Sequence, residues 1–528
     1  MEKFRDFIKR SEESPIGPSL WIATALAIIF ARDSIESIVS VGSFPEADLF
    51  HLFHVPVFFL SLLLAIILLL HFFSKEKIDK VSRVSLLFFT IILFPALLDF
   101  FISQVVKREV TYQYIEQGLA QNLLQFLNPF VKLSQVPFSL RLEVAFISLL
   151  SFVYIFLKRR SVSLSVLGAL SVFLLCVFYG SIPAVLSGII LALFRFLLFL
   201  TKFFQIPASG KLTAVVDENV VVILQLLFGL ALFAVWFARF DPKKLKVLYR
   251  DLRLTRILHY ILLSLMGGAL YFYDAHDTDI FFLVRGAGMV FALFFVCQFC
   301  AVLNDIFDIE GDRISNKERP LVAGVFEKKE YLKIGFVYLT IGLLFALWVS
   351  LTCLMMTLLF VAVYFLYSAP PLRLKRFYPV NPVIIGLQAL LVFLLGQASF
   401  GPAGYQPPFY ASTDALIFVI FALSSHVKDL KDAQGDMACR VLTLPVMLGQ
   451  KRARFLTAGF VFLSYLLAPF LFSFLFFSPL ILLLGILFGA ANFFYIIRKN
   501  SKETFVFAAY LVFGGILLVL LIKNISFS

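Results

Sequence analysis

The chain has 528 residues, of which 61% are hydrophobic and 15% charged, and its formal net charge is +13. So little charge excludes an ordinary soluble domain, where charged residues make up about 25%. Long continuous apolar runs also exclude a membrane barrel, whose strands alternate in polarity. The chain is therefore predicted to be all-α, a polytopic transmembrane helical bundle.

The N-terminal stretch MEKFRDFIKRSEESPIGPS is charged and long, and no cleaved signal peptide is expected. Apolar blocks follow at 19–32, 51–73, 84–103, 142–157, 162–179, 182–204 and 219–239, which predicts a module of about six or seven apolar helices. Seven full spans leave the basic connector after them on the wrong side for its charge. One block is thus expected to lie on the membrane or to fold back, and the run split by YGSIP is the candidate. The stretch 104–140 reads as an amphipathic surface helix, and His51 and His54 of HLFH read as packing residues. No motif in residues 1–240 points to chemistry, so they form a membrane module of unassigned role.

The connector ARFDPKKLKVLYRDLRLTR, Ala238 to Arg256, marks the boundary, with a second domain at 241–528. Nine apolar segments follow, at 257–273, 280–303, 332–350, 352–367, 381–399, 413–426, 454–476, 479–497 and 503–522. The turns at 243–256, 304–333, 373–376, 428–454 and 498–502 are rich in Lys and Arg, whereas DAHDTD, FGPAGYQPPFYAST and FFSPL carry none. This alternation encodes topology and gives no reason to expect nucleic acid as a partner. It predicts a multi-pass protein of the cell (inner) membrane, with the basic turns cytoplasmic and the C-terminus outside. CQFC, Cys297 to Cys300, lies inside an apolar helix without a second pair and reads as packing. His426 and Arg285 lie near segment ends and read as snorkelling or site-edge residues.

Two acidic sets stand out. In NDIFDIEGD, taking Asn304 as zero, an unbroken helix puts Asp305, Asp308 and Asp312 at about 100°, 40° and 80°. In HVKDLKDAQGDM, Asp429, Asp432 and Asp436 fall within about 60° of one another. Each set follows an apolar segment at the same predicted membrane face, where the helix macrodipole and mutual repulsion both disfavour carboxylates. Six aspartates facing one space call for positive charge between them, and oxygen ligands favour a hard divalent cation such as Mg²⁺. Arg313, Lys317, Arg319, Lys428 and Lys431 flank the sets, and YSAPPLRLKRF adds Tyr367, Arg373, Lys375 and Arg376. Carboxylates for metal with cations for phosphate describe a diphosphate site, and in a membrane the natural diphosphate is on a lipid tail. The competing account, solvated turns whose acids pair with nearby lysines, explains one such set better than two in phase.

These residues carry a family resemblance. NDIFDIEGD resembles the N-D-x-x-D-x-x-x-D motif of the UbiA-type superfamily of intramembrane prenyltransferases, and NKERPLVAG resembles the R-P-L-x-x-G that follows it there. YSAPPLRLKR is similar to the family's cytoplasmic loop, and KDLKDAQGD with TLPVMLG to its second aspartate motif. The resemblance spans about 245–525 and implies a nine-helix domain. It further implies Mg²⁺-dependent transfer of an isoprenyl group from an allylic polyprenyl diphosphate to an aromatic or lipid acceptor. Carried over by position, Asn304 and Asp308 hold one metal, supported by Asp305 and Asp312. Asp432 and Asp436 hold the other, aided by Asp429. Arg319, Tyr367, Arg373, Lys375 and Lys428 contact the diphosphate. GDMACRVLTLP departs from the family's pattern, with Arg440 where a glycine is usual and Leu442 where a basic residue is. The rival from another class is a transporter or lipid-binding scaffold with cation-binding aspartates. That rival predicts charge near the bilayer midplane and often an internal repeat, whereas these acids cluster at segment ends and no clear repeat is found.

Overall fold

The computed structural model describes the chain outside residues 1, 42–53, 107–118, 128–135, 183, 187, 189–217, 276–280, 401–409, 474–477, 499–500 and 528. Every described element is helical. Twelve described helices are long and apolar enough to cross a membrane, and a bent pair makes a possible thirteenth. The chain divides into two compact units, Met1–Leu245 and Lys246–Ser528.

In the first unit, four continuous candidate spans run over Val55–Ser74, Ile78–Ile102, Phe138–Arg159 and Val162–Gly180. Arg160 adopts the left-handed conformation, φ 53°, and its N–H caps the Phe156 carbonyl, so one span ends and the next starts within a short turn. The helix Pro18–Val41 carries Arg32 into this apolar setting. Its guanidinium meets both Glu143 oxygens at 3.1 Å and Glu36 at 2.8 Å, and it lies 4.4 Å over the Phe59 ring. Buried charge is tolerated there because it is paired. Trp21 and Trp236 stack at 5.5 Å, and their indole N–H groups donate to the carbonyl and hydroxyl of Ser82. Most of the block at 182–204, His51 and much of 104–140 lie outside the described residues, though a short helix, Leu119–Leu127, occupies part of the last.

In the second unit, each of the nine predicted segments contains helix. Eight are continuous candidate spans, and the ninth is the pair Ala411–Val427 and Asp429–Ala438, bent by 67°. Phe281–Phe307 and Val380–Phe400 are the most enclosed of these helices, while Glu503–Phe527 exposes Phe505, Val512 and Val519 on one stripe seven residues apart. Such a stripe suits contact with lipid tails. Glycines allow the close approaches. A Cβ on Gly396 of Val380–Phe400 would overlap the Ser264 carbonyl of Leu254–Ala275. One on Gly342 of Lys328–Val349 would come 2.7 Å from Val296 of Phe281–Phe307. This is small-residue helix packing of the kind that membranes favour.

Candidate active site

Both acidic sets lie where a long helix gives way to a short one. Phe281–Phe307 ends just after Asn304, Asp308 leaves helical geometry at φ −108° and ψ 10°, and Ile309–Ser315 begins anew. Ala411–Ser424 passes through a 3-10 turn at Ser425–Val427 and restarts as Asp429–Ala438. This corrects the expectation that the acids sit only at unfavourable helix C-termini. Asp312, Asp429 and Asp432 lie in the first turns of the short helices, where the macrodipole favours negative charge.

The two short helices pack through glycine. A Cβ on Gly435 would lie 2.8 Å from the Gly311 carbonyl oxygen and 2.6 Å from Ser315 Oγ, which already accepts the Gly435 N–H at 3.1 Å. One turn away, Asn316 Nδ2 donates to Asp312 at 2.9 Å and to Asp432 at 3.1 Å. A single amide therefore bridges the two sets and holds those carboxylates within two hydrogen-bond lengths of each other.

They share a cavity of about 280 Å³. Asn304, Asp308, Asp312, Tyr367, Arg373, Lys375, Lys428, Asp429, Asp432 and Asp436 all line it. Arg373, left-handed at φ 41°, turns the 369–379 loop back so that its guanidinium meets Asp308 at 2.8 Å. Lys375, only 7% exposed, reaches Asp308 at 2.5 Å and Asn304 at 3.0 Å. Lys428 donates to Tyr367 Oη at 2.5 Å, and Tyr367 donates to Asn381 at 3.1 Å. Burial works to raise the Asp308 carboxyl, but Lys375 and Arg373 outweigh it and hold it below the usual value. Burial lowers the Lys375 ammonium against the pull of Asp308, and Arg373 and Lys428 add to the lowering. Burial raises Asp312, against the hydrogen bond from Asn316.

Charge balance decides what this cavity can accept. Its lining includes five acids, Asp308, Asp312, Asp429, Asp432 and Asp436, and five bases, Arg253, Arg256, Arg373, Lys375 and Lys428. Arg253 and Arg256 are engaged by Asp305 and Glu503, which do not line it. Acid is therefore in excess, and an anionic ligand is repelled unless cations enter with it.

Asp305 and Arg319 do not line the cavity. Asp305, 1% exposed, is paired with Arg253, accepts from Tyr331 at 3.3 Å and lies 3.9 Å from Arg319. Arg319 in turn reaches Asp251 at 2.5 Å, and Tyr331 reaches the same carboxylate at 3.0 Å. The expectation of four motif residues on one arc fails for Asp305, which lies about 100° round the same helix from Asn304 and turns to Arg253. Sequence reasoning missed Asp251, Arg253, Tyr331 and Asn316. Only the basic run before the first span hinted at Arg253, and long-range pairing leaves no periodic trace. Cys297 and Cys300 are buried free thiols in the cavity wall, and His426 is buried against Tyr378 and Phe460.

A family model described as the UbiA prenyltransferase family matches residues 260–514, within the second unit. The digeranylgeranylglyceryl phosphate synthase of Methanocaldococcus jannaschii is 31% identical over 222 residues, covering 41% of this chain and 74% of that one. The chain belongs to the UbiA prenyltransferase family. It is a prenyltransferase and a multi-pass integral membrane protein, as its motifs and apolar helices led one to expect. The synthase of the same name from Methanococcoides burtonii is 31% identical over 216 residues, 40% of this chain and 66% of that one. A solved UbiA homolog from Archaeoglobus fulgidus bound to GPP and Mg²⁺ is 18% identical, with a TM-score of 0.42 over 53% of this chain and 99% of that one. Among the curated relatives, the matched part covers between 55% and 74% of their own length.

The donor set of this UbiA-family cavity fits a hard divalent cation. Among the described residues no three His, Cys, Asp or Glu side chains form a ready cage. Mg²⁺ does not require one, since it characteristically takes one or two carboxylates and completes its shell with substrate phosphate oxygens and water. Asp312 Oδ2 is buried without a hydrogen-bond partner, an oxygen ligand with nothing to bind.

The glycine contact is open to a direct test. Gly435→Ala is expected to force the short helices apart, costing about 1–3 kcal/mol from overpacking. Misplaced ligands should lower turnover by on the order of a hundredfold and raise the Mg²⁺ concentration needed for half-maximal rate. A Mg²⁺ titration of turnover measures this. Gly459→Ala, whose new Cβ meets nothing, is the matched control.

Proposed function

We propose that the second unit transfers a polyprenyl group from an allylic polyprenyl diphosphate to the free hydroxyl of a glyceryl phosphate lipid, at the cytoplasmic face of the membrane. The observation that carries this is the joining of the two acidic sets by Asn316 over one cavity, with cations at its polar end. The acceptor class follows the relatives, whose name describes a glyceryl phosphate bearing two geranylgeranyl groups.

In this reading the allylic C–O bond of the donor breaks and diphosphate leaves with the electron pair. The acceptor oxygen bonds to the allylic carbon and releases its proton to a carboxylate or water, giving an ether. Mg²⁺, held by Asn304 and Asp308 on one side and Asp432 and Asp436 on the other with Asp312 and Asp429 adjoining, would neutralise the diphosphate and draw charge from the breaking bond. Lys375, Arg373, Lys428 and Tyr367 grip and orient the phosphate oxygens, and pre-placed cations stabilise charge as it develops there. Arg319, with Asp251 and Asp305, steadies the first motif from behind. Phe360, Tyr364, Phe507 and Tyr510 line the apolar part of the cavity, where they bed the polyprenyl chain and exclude water. No part of this reaction is assigned to the first unit, whose buried Arg32 pairs with Glu36 and Glu143.

The test is incubation of the purified chain in lipid nanodiscs with Mg²⁺, geranylgeranyl diphosphate and a glyceryl phosphate carrying one geranylgeranyl ether. Mass spectrometry should find the doubly alkylated ether, and EDTA should abolish it. A prenylated hydroxybenzoate in place of the ether would move the acceptor to the aromatic class. Selective ion flux in liposomes with no prenylated product from any acceptor would restore the transporter reading.

A further inference from the structure

The cavity is polar at one end only. Along Val380–Phe400, Asn381 stands at the charged end, and Gln388 lies seven residues on, on the same face and about 10 Å deeper. At that depth the wall includes Cys297, Phe360 and Ile420, which offer no strong hydrogen bond, and the Tyr364 ring. Gln388 is nonetheless 2% exposed and lines the cavity. Its Oε1 accepts from Tyr260 Oη at 3.3 Å, and its Nε2 has no partner. An amide donor left unpaired in a mostly apolar wall is costly, and a polar group entering the cavity, from a ligand or water, relieves it.

The pair has a definite complementarity. With its own proton given to Gln388, Tyr260 Oη keeps lone pairs to accept another, while Gln388 Nε2 offers a free donor. Turning the amide over exchanges the roles and still leaves one donor and one acceptor side by side. One donor beside one acceptor matches a hydroxyl, which needs both, and does not match a bare aromatic carbon or an alkyl chain.

We infer that Tyr260 and Gln388 bind the hydroxyl of the prenyl acceptor, orient its oxygen towards the donor's allylic carbon, and select acceptors that carry a hydroxyl. This rests on the proposed transfer to a glyceryl phosphate lipid and adds the residues that recognise the nucleophile.

The experiment uses the full chain in nanodiscs, with Gln388→Met and Tyr260→Phe. Acceptor KM is expected to rise about tenfold in each variant, with donor KM within about twofold of the parent. Competition by the deoxy acceptor, hydrogen replacing the reacting hydroxyl, gives the decisive ratio. The parent should prefer the true acceptor by about tenfold or more, and Gln388→Met should bring that preference close to one. An unchanged preference in both variants overturns the assignment. So does a parallel rise of both KM values with a lowered unfolding midpoint, or loss of all donor turnover in both variants, which would mark the pair as packing. If the parent itself makes no ether product, the proposed function fails first and takes this assignment with it.

Discussion

Asp308→Asn should reduce prenyl transfer by about a thousandfold or more. Asp308 pairs with two cations at the polar end of the cavity, Arg373 at 2.8 Å and Lys375 at 2.5 Å, and lines that cavity together with the second acidic set. Asparagine keeps the volume and one oxygen but removes the charge that would bind metal. It also leaves two cations facing each other without their anion. Removing one partner of a buried pair is destabilising by about 3–5 kcal/mol. Asp308 keeps 20% of its side chain exposed, so the loss here should fall below that range. Stability and catalysis can be separated with the double variant Asp308→Asn, Lys375→Gln. Restoring charge balance should recover most of the unfolding midpoint, while transfer stays well below that of Lys375→Gln alone. Recovery of transfer along with stability would show that Asp308 acts only through packing.

Lys375→Gln alone should lower kcat/KM for the donor by about a hundredfold. Lys375 is the most buried cation of the 369–379 loop, and its ammonium reaches both Asn304 and Asp308. In the proposed reaction, a donor diphosphate between the acidic sets comes within reach of that ammonium. Inorganic pyrophosphate supplies the control, because inhibition by it reads the contact without any chain chemistry. Its inhibition constant should weaken in the variant, and Lys375→Arg should recover part of the loss by restoring charge at a different shape. Normal pyrophosphate inhibition in Lys375→Gln would remove the ammonium from the diphosphate contacts.

Much of the second unit was legible because a bilayer imposes its own ruler on the chain. Nine apolar runs of suitable length become nine helical segments, and a basic turn flanks one end of each. The acidic residues were legible as a group because carboxylates at a membrane boundary are costly enough to need a reason. What could not be read was how the backbone bends around them. Asp305 and Asp312 lie close on an ideal helix, yet they part because the helix restarts at Ile309 between them, Asp305 turning to Arg253 and Asp312 to Asn316. Asn316 looks like a turn residue, and its bridge to Asp432 spans 116 positions of sequence. Gln388 sits in an apolar run where one amide hardly changes the hydropathy, so its unpaired donor is visible only once Tyr260 is placed beside it. The first unit gave less to read, since its charges answer to one another across distant helices, as Arg32 does to Glu143.

The touching backbones at Gly311 and Gly435 leave no slack between the two banks of acid. If the proposed transfer holds, headgroup recognition has a fixed dimension, and a bulkier leaving group is not accommodated by parting the two banks. In the proposed reaction, breadth in tail length would come from the apolar part of the cavity, where side-chain rings such as Phe360, Tyr364 and Phe507 form the boundary. Evolution of new tail preferences in this chain is thus expected to proceed by exchanging side chains there, with the upper rim left untouched.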